Sequence, residues 1–422
     1  MSNSDTSIHS SVQSAAQSVV PPLMRLASID AYRGFVMFLM MAEVLHLSKM
    51  GEAFSGVTTF WGDFWRFLAF HQSHIEWAGC TLHDMIQPSF TFLVGVALPF
   101  SIASRLAKGQ SYWWMSFHAF WRALILILLG VFLRSQWGSQ TNWTFEDTLT
   151  QIGLGYGFLF LIGLVAFRAK KGIFAPIIAL VLILGGYWAA FAFYPLPDAN
   201  FDWASAGVAA DWPHHLTGFA AHWNKNTNPA WAFDVWFLNI FPRAESFSNN
   251  GGGYATLSFI PTLGTMILGL FAGTFLRNNW RWYGKFSLFI LLGAICLGLG
   301  LVLDMHGICP IVKRIWTPSW VLFSGGICFL MLAAFYLFVD IARLKVLVLP
   351  LIVIGSNSIV AYCMADSLLN PYFTKNLKTH LGADFFNQFG GAYELLFLGI
   401  VVLLIDWLIL LWMYRKKVHV RI

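Results

Sequence analysis

The chain has 422 residues, of which 58% are hydrophobic and only 11% charged. That balance excludes a soluble domain of ordinary proportions, because the apolar surface exceeds what a single core hides. The net charge of +6 is spread over short segments rather than massed on one stretch, so it points to membrane topology and not to nucleic acid.

In chain order, residues 1–24 are rich in Ser, Gln and Ala and lack Lys and Arg. They lack the features of a signal peptide and are expected to form a disordered cytoplasmic tail. Apolar runs of about 20 residues, each enough to span the hydrocarbon as helix, then begin near 32, 84, 114, 148, 172, 256, 283, 318, 346 and 392. The expected fold is therefore an all-α integral membrane protein of about ten transmembrane helices. The second run contains Pro88 and Pro99, and GSNS at residues 355–358 interrupts the ninth. If the N-terminus is inside, 17 of the 26 Lys and Arg fall on the inner side, among them Arg25, Lys170, Lys171 and Arg421. Short cytoplasmic loops retain positive charge, so both termini are expected to be cytoplasmic. Two long outer loops follow, residues 50–83, with an aromatic helix expected along the surface, and residues 195–255. The five cysteines show no paired or metal-type spacing, and no metal site is expected.

Ionisable residues inside apolar runs are costly and are kept mainly when paired or functional. Asp30 and Arg33 stand one turn apart at the start of the first run, and Glu43 and His46 stand one turn apart near its outer end. The next stretch, HIEWAGCTLHDMIQPSFTFLVG at residues 74–95, sets His74, Glu76, Trp77 and Asp84 at the mouth of the second run. Imidazole is the usual group for taking a proton near neutral pH, and a carboxylate at Asp84 or Glu76 would orient it. Taken alone, a histidine in an aromatic loop is more often a structural hydrogen-bonding residue.

The spacing of His74, Trp77, Gly79, Asp84, Pro88, Phe90, Phe92 and Gly95 resembles the catalytic stretch of the heparan-alpha-glucosaminide N-acetyltransferase family of transmembrane acyltransferases. The opening SIDAYRG resembles that family's S-x-D-x-x-R-G signature; Gln151 matches a Q-R-x-G-type stretch in which Ile152 replaces Arg, and Asn357, Ser358 and Tyr362 match N-S-I-x-x-Y. The resemblance implies a transmembrane acyltransferase domain over residues 25–422, of bacterial type and thus expected in an inner membrane. It would move an acetyl group from cytosolic acetyl-CoA, as donor substrate, to an amino sugar or glycan on the far side. His74 would act as base or acyl carrier, with Asp84 or Glu76 as its partner. Acceptor contacts would come from Trp77, Glu43, Gln151, Asn357 and Ser358, and donor contacts from Asp30, Arg33, Arg105, Lys108 and Arg122. The positive-inside bias selects those basic residues equally well. The expected partners are the bilayer and the acceptor, with a homodimer left open. From another class, a transporter or flippase for a sugar or lipid-linked precursor would use Glu43, His46 and Asp406 as coupling sites; a membrane subunit without activity is a third possibility.

Overall fold

Within hydrocarbon every backbone N–H and C=O must find an internal partner, so apolar runs fold as helices. A computed structural model describes residues 26–168, 172–198, 200–366 and 369–420. The expected tail at 1–24 and the basic residues Arg25, Lys170, Lys171 and Arg421 lie outside the described residues. The α-helices are α1 Ala27–Met41, α2 Leu47–Ala53, α3 Phe60–His71, α4 Ile86–Ala107, α5 Tyr112–Arg134, α6 Thr148–Arg168, α7 Phe174–Ala192 and α8 Pro229–Phe237. They continue as α9 Phe259–Arg277, α10 Trp282–Met305, α11 Pro318–Phe335, α12 Leu349–Ser356, α13 Ser358–Ala365, α14 Leu369–Leu381 and α15 Glu394–Arg415. Among the described residues there is no strand, only an isolated bridge between Ala78 and Val312.

Among the described residues, eight helices are long and apolar enough to cross a membrane, or nine if the pair Ala27–Leu45 and Leu47–Ala53, bent by 48° at His46, counts as one. The chain is thus an all-helical integral membrane protein. The ninth expected run differs from a single span. It folds as α12 and α13, eight residues each, broken where Asn357 leaves helical geometry at φ −131° and ψ 46°. Each half is about 12 Å long, too short to cross alone.

Glycines set how closely the helices approach. Carbonyls of Met266 and Phe92 lie 1.9 Å from where a Cβ on Gly95 and Gly269 would stand, so α4 and α9 pack backbone to backbone, running parallel. Gly34 meets the Leu351 carbonyl and Gly355 that of Asp30, so α12 docks antiparallel on α1. The long loop 50–83 does hold a helix, α3. Residues 193–198 and 200–255 fold over one end as short turns and α8, packed through a second apolar cluster that includes Trp77, Phe191, Trp223, Val312 and Ile315.

Candidate active site

His74 lies beyond the end of α3 on an irregular segment, 73–82, that local contacts hold in place. Gly79 adopts φ +121°, a conformation side chains resist, and its N–H donates to the Ile311 carbonyl at 3.0 Å. Trp77 is fully buried and its indole N–H donates to the Trp223 carbonyl at 3.1 Å. Its ring therefore fastens the segment to the cap, a packing role. His71 closes the far end by accepting from the Leu82 N–H.

Asp84 sits in a tight turn, His83–Met85, at the start of α4, where the helix dipole favours negative charge. Its Oδ2 accepts from the N–H groups of Ile75 and Thr81 and from the Thr81 hydroxyl, at 3.2, 3.1 and 3.0 Å. Its Oδ1 lies 2.7 Å from His74 Nδ1 and 3.1 Å from Lys313 Nζ. A carboxylate this well supplied with donors stays ionised, so the chemistry assigns the proton on Nδ1 to the bond with Asp84. That leaves Nε2 with its lone pair. Lys313 Nζ stands 3.2 Å from Nδ1, placing a cation beside the ring.

Asp84 and Lys313 are 1% and 5% exposed, whereas the His74 side chain keeps 42% of its surface. Burial lowers the His74 pKa below its ordinary value, Lys313 and His83 lower it further, and Asp84 opposes them. The ring is therefore mainly neutral at pH 7 and able to accept a proton at Nε2. On its other flank lies His83, with ring centroids 4.6 Å apart, and His83 Nε2 is 3.1 Å from Glu43 Oε1. Glu76 is exposed on the loop, near Lys225, so Asp84 is the carboxylate that holds the ring.

The other expected residues gather elsewhere. A cavity of about 550 Å³ is walled by Asp30, Arg33, Arg105, Arg122, Tyr156, Ser358 and His419 at one end and reaches Phe90, Leu149 and Ile152. Phe90 to Arg105 covers about 22 Å of helix, so the cavity follows much of α4 toward Asp84. Arg122 lies over the Tyr156 ring at 4.8 Å and donates to its hydroxyl. Arg33 stands 3.7 Å from Asp30. Lys108 is exposed past the end of α4 and does not wall the cavity. Gln151 is buried, donating to the carbonyls of Phe145 and Thr256. The Asn357 amide donates to the Val418 carbonyl and accepts from the Val420 N–H, which fastens the C-terminal segment beneath the cavity. Asp30 and His419 face one cavity, so the two ends of the described chain meet at the end of the bundle away from His74.

Lys313 was not singled out from sequence, and His83 was read there only as a local competitor of His74. The signal for Lys313 was present: Lys313 and Arg314 are adjacent bases on the side that the charge bias leaves poor in bases.

No protein-family model matches the chain. Over 387 aligned residues it is 24% identical to heparan-alpha-glucosaminide N-acetyltransferase of Homo sapiens, covering 84% of this chain and 54% of that protein. The Mus musculus protein of the same name is likewise 24% identical over 387 residues, with 83% and 54% covered. The chain spans about half the length of the curated relatives it matches. The similarity bears out the resemblance carried by the pattern from His74 to Gly95.

Proposed function

We propose that this protein is a transmembrane acetyltransferase that takes an acetyl group from acetyl-CoA on the cytoplasmic side and delivers it to an amino sugar or glycan on the other. The observation that carries this is the placing of two sites at opposite ends of one bundle, with a cavity that runs from the basic end along α4 as far as Phe90, six residues past Asp84. The basic end, with Arg33, Arg105 and Arg122, suits the phosphates of the donor. The volume falls within the range of about 300–1,000 Å³ usual for small-molecule sites, and its extent along α4 suits the donor's long pantetheine arm. At the far end the amine nitrogen attacks the thioester carbonyl, and His74 Nε2 takes its proton. Asp84 fixes the tautomer and stabilises the imidazolium, which returns the proton to the departing thiolate. Both termini are then cytoplasmic and His74 faces outward, as the charge bias suggests; a bacterial inner membrane fits this arrangement.

The test is thioester consumption by purified protein in detergent with acetyl-CoA and a panel of amino sugars, where no gradient exists to support transport. His74→Ala should lower turnover by about 10²- to 10⁴-fold while donor binding changes little, since the basic end of the cavity is remote. Near-normal turnover in that variant would overturn the assignment. Exchange of label between acetyl-CoA and free CoA without acceptor would replace the base by a covalent acyl-imidazole.

A further inference from the structure

We propose that Glu43 and His83 form a second acid–base pair that removes the ammonium proton of the acceptor, leaving His74 and Asp84 to handle the proton released during transfer. The inference rests on the acetyl-transfer reading and asks where its protons go. An amine flanked by electron-withdrawing groups titrates at about 8, so at neutral pH it arrives mostly as ammonium. Ammonium has no lone pair and cannot attack. In the balanced reaction a C–N bond forms and the thioester C–S bond breaks. Of the ammonium's three protons, one stays on the amide nitrogen, one goes to the thiolate sulfur and one is released to water. One imidazole holds one proton at a time.

The geometry supplies two such groups side by side. His74 is committed through Nδ1 to Asp84, whose charge Lys313 already balances at 3.1 Å. The His83 ring lies 4.6 Å from it, centroid to centroid, and is paired with Glu43 at 3.1 Å. The His83 side chain is 7% exposed and the Glu43 side chain 57%, so a proton passed to this pair reaches water through Glu43. Glu43 belongs to the tight turn Ala42–Leu45 that ends the first helix, and His83 to the turn that begins α4. Other charges face the pair from neighbouring elements: Asp366, past α13, interacts with Glu43 and is backed by Arg134 of α5, while Asp84 and Lys313 lie beyond His74. The exposed Glu43 carboxylate is thus both an anchor for a cationic acceptor and an exit for its proton.

The experiment compares an amino sugar with an aromatic amine that is neutral at pH 7, using the parent protein, Glu43→Gln, His83→Asn and His74→Ala. Folding is checked for each by elution and melting temperature. With the amino sugar at pH 7, Glu43→Gln and His83→Asn should lose about tenfold in kcat/KM, the ratio of ammonium to free amine at that pH. The loss should recover about tenfold per pH unit until the amine itself titrates. With the aromatic amine their losses should be at least about tenfold smaller, since no ammonium proton needs removing. His74→Ala should lose on both acceptors. Equal losses on the two amines, or no recovery at high pH, overturn the second pair while leaving His74 in place. Glu43→Gln, at a half-exposed carboxylate, keeps the question answerable if His83→Asn does not fold. A parent protein that consumes no thioester with any amine overturns the acetyl-transfer reading, and the second pair with it.

Discussion

Lys313 is the residue on which the site's electrostatics turn. Buried with Asp84, it supplies the positive charge opposite a carboxylate whose other partners are neutral donors, and losing one member of such a pair costs about 3–5 kcal/mol. It also opposes protonation of His74. Because the folded His74 has a lowered pKa, activity that needs its neutral form should persist below the ordinary imidazole value of 6.5 and fall only at lower pH. Lys313→Met should therefore lower the melting temperature and move the acid limb of the kcat/KM profile to higher pH, since Asp84 would then act on the ring without the opposing cation. An unmoved acid limb in a folded Lys313→Met protein would remove Lys313 from the pKa argument. His74 and Asp84 were legible in the sequence because ten residues separate them, within one turn-and-loop motif. The pairing of Lys313 was not, because its contact with His74 spans 239 residues; the charge bias marks it as a base on the sparse side but cannot say what it touches.

At the scale of elements, the apolar runs were legible because the bilayer leaves the backbone few alternatives to helix. How the helices dock was not, since that depends on small residues whose partners lie far along the chain. The antiparallel fit of α12 on α1, through Gly355 and Gly34, is such a case. GSNS did mark a break in the ninth run, yet the role of Asn357 there is to fasten residues 418–420 rather than to face a substrate in the open cavity. The packing argument makes a paired prediction. Gly269→Val would drive a Cβ to 1.9 Å from the Phe92 carbonyl, a backbone atom that moves only if α4 and α9 part. The cost should be at least about 1–3 kcal/mol, read as a lower melting temperature in detergent, with activity falling because α4 carries Asp84. Gly298→Ala in α10, where a Cβ meets nothing within 4 Å, should be neutral or stabilising by about 0.5–1 kcal/mol. Equal melting temperatures for the two variants would mean that the close approach of α4 and α9 does not hold the bundle.

For the whole molecule, the two ends carry different chemistry, and the assignment of each to a side of the membrane follows from charge. The end where Asp30 and His419 line one cavity sets Arg33, Arg105 and Arg122 around it, whereas the end with His74 is covered by the aromatic cap of residues 193–198 and 200–255. Insertion retains positive loops in the cytoplasm, so the cap should face outward. The expectation needs only the sequence, because the bias is a sum over many loops and needs no knowledge of packing. Ser248 is exposed on the cap and Lys416 is exposed just after α15, at opposite ends of the bundle. With the parent protein as baseline for its own cysteines, Ser248→Cys in intact cells should react with a membrane-impermeant thiol reagent. Lys416→Cys should react only after the membrane is opened. The reverse pattern would place His74 in the cytoplasm, beside the pool of acetyl-CoA. The cavity along α4 would then have no part in moving the acetyl group across the membrane, and its basic residues would need a different ligand.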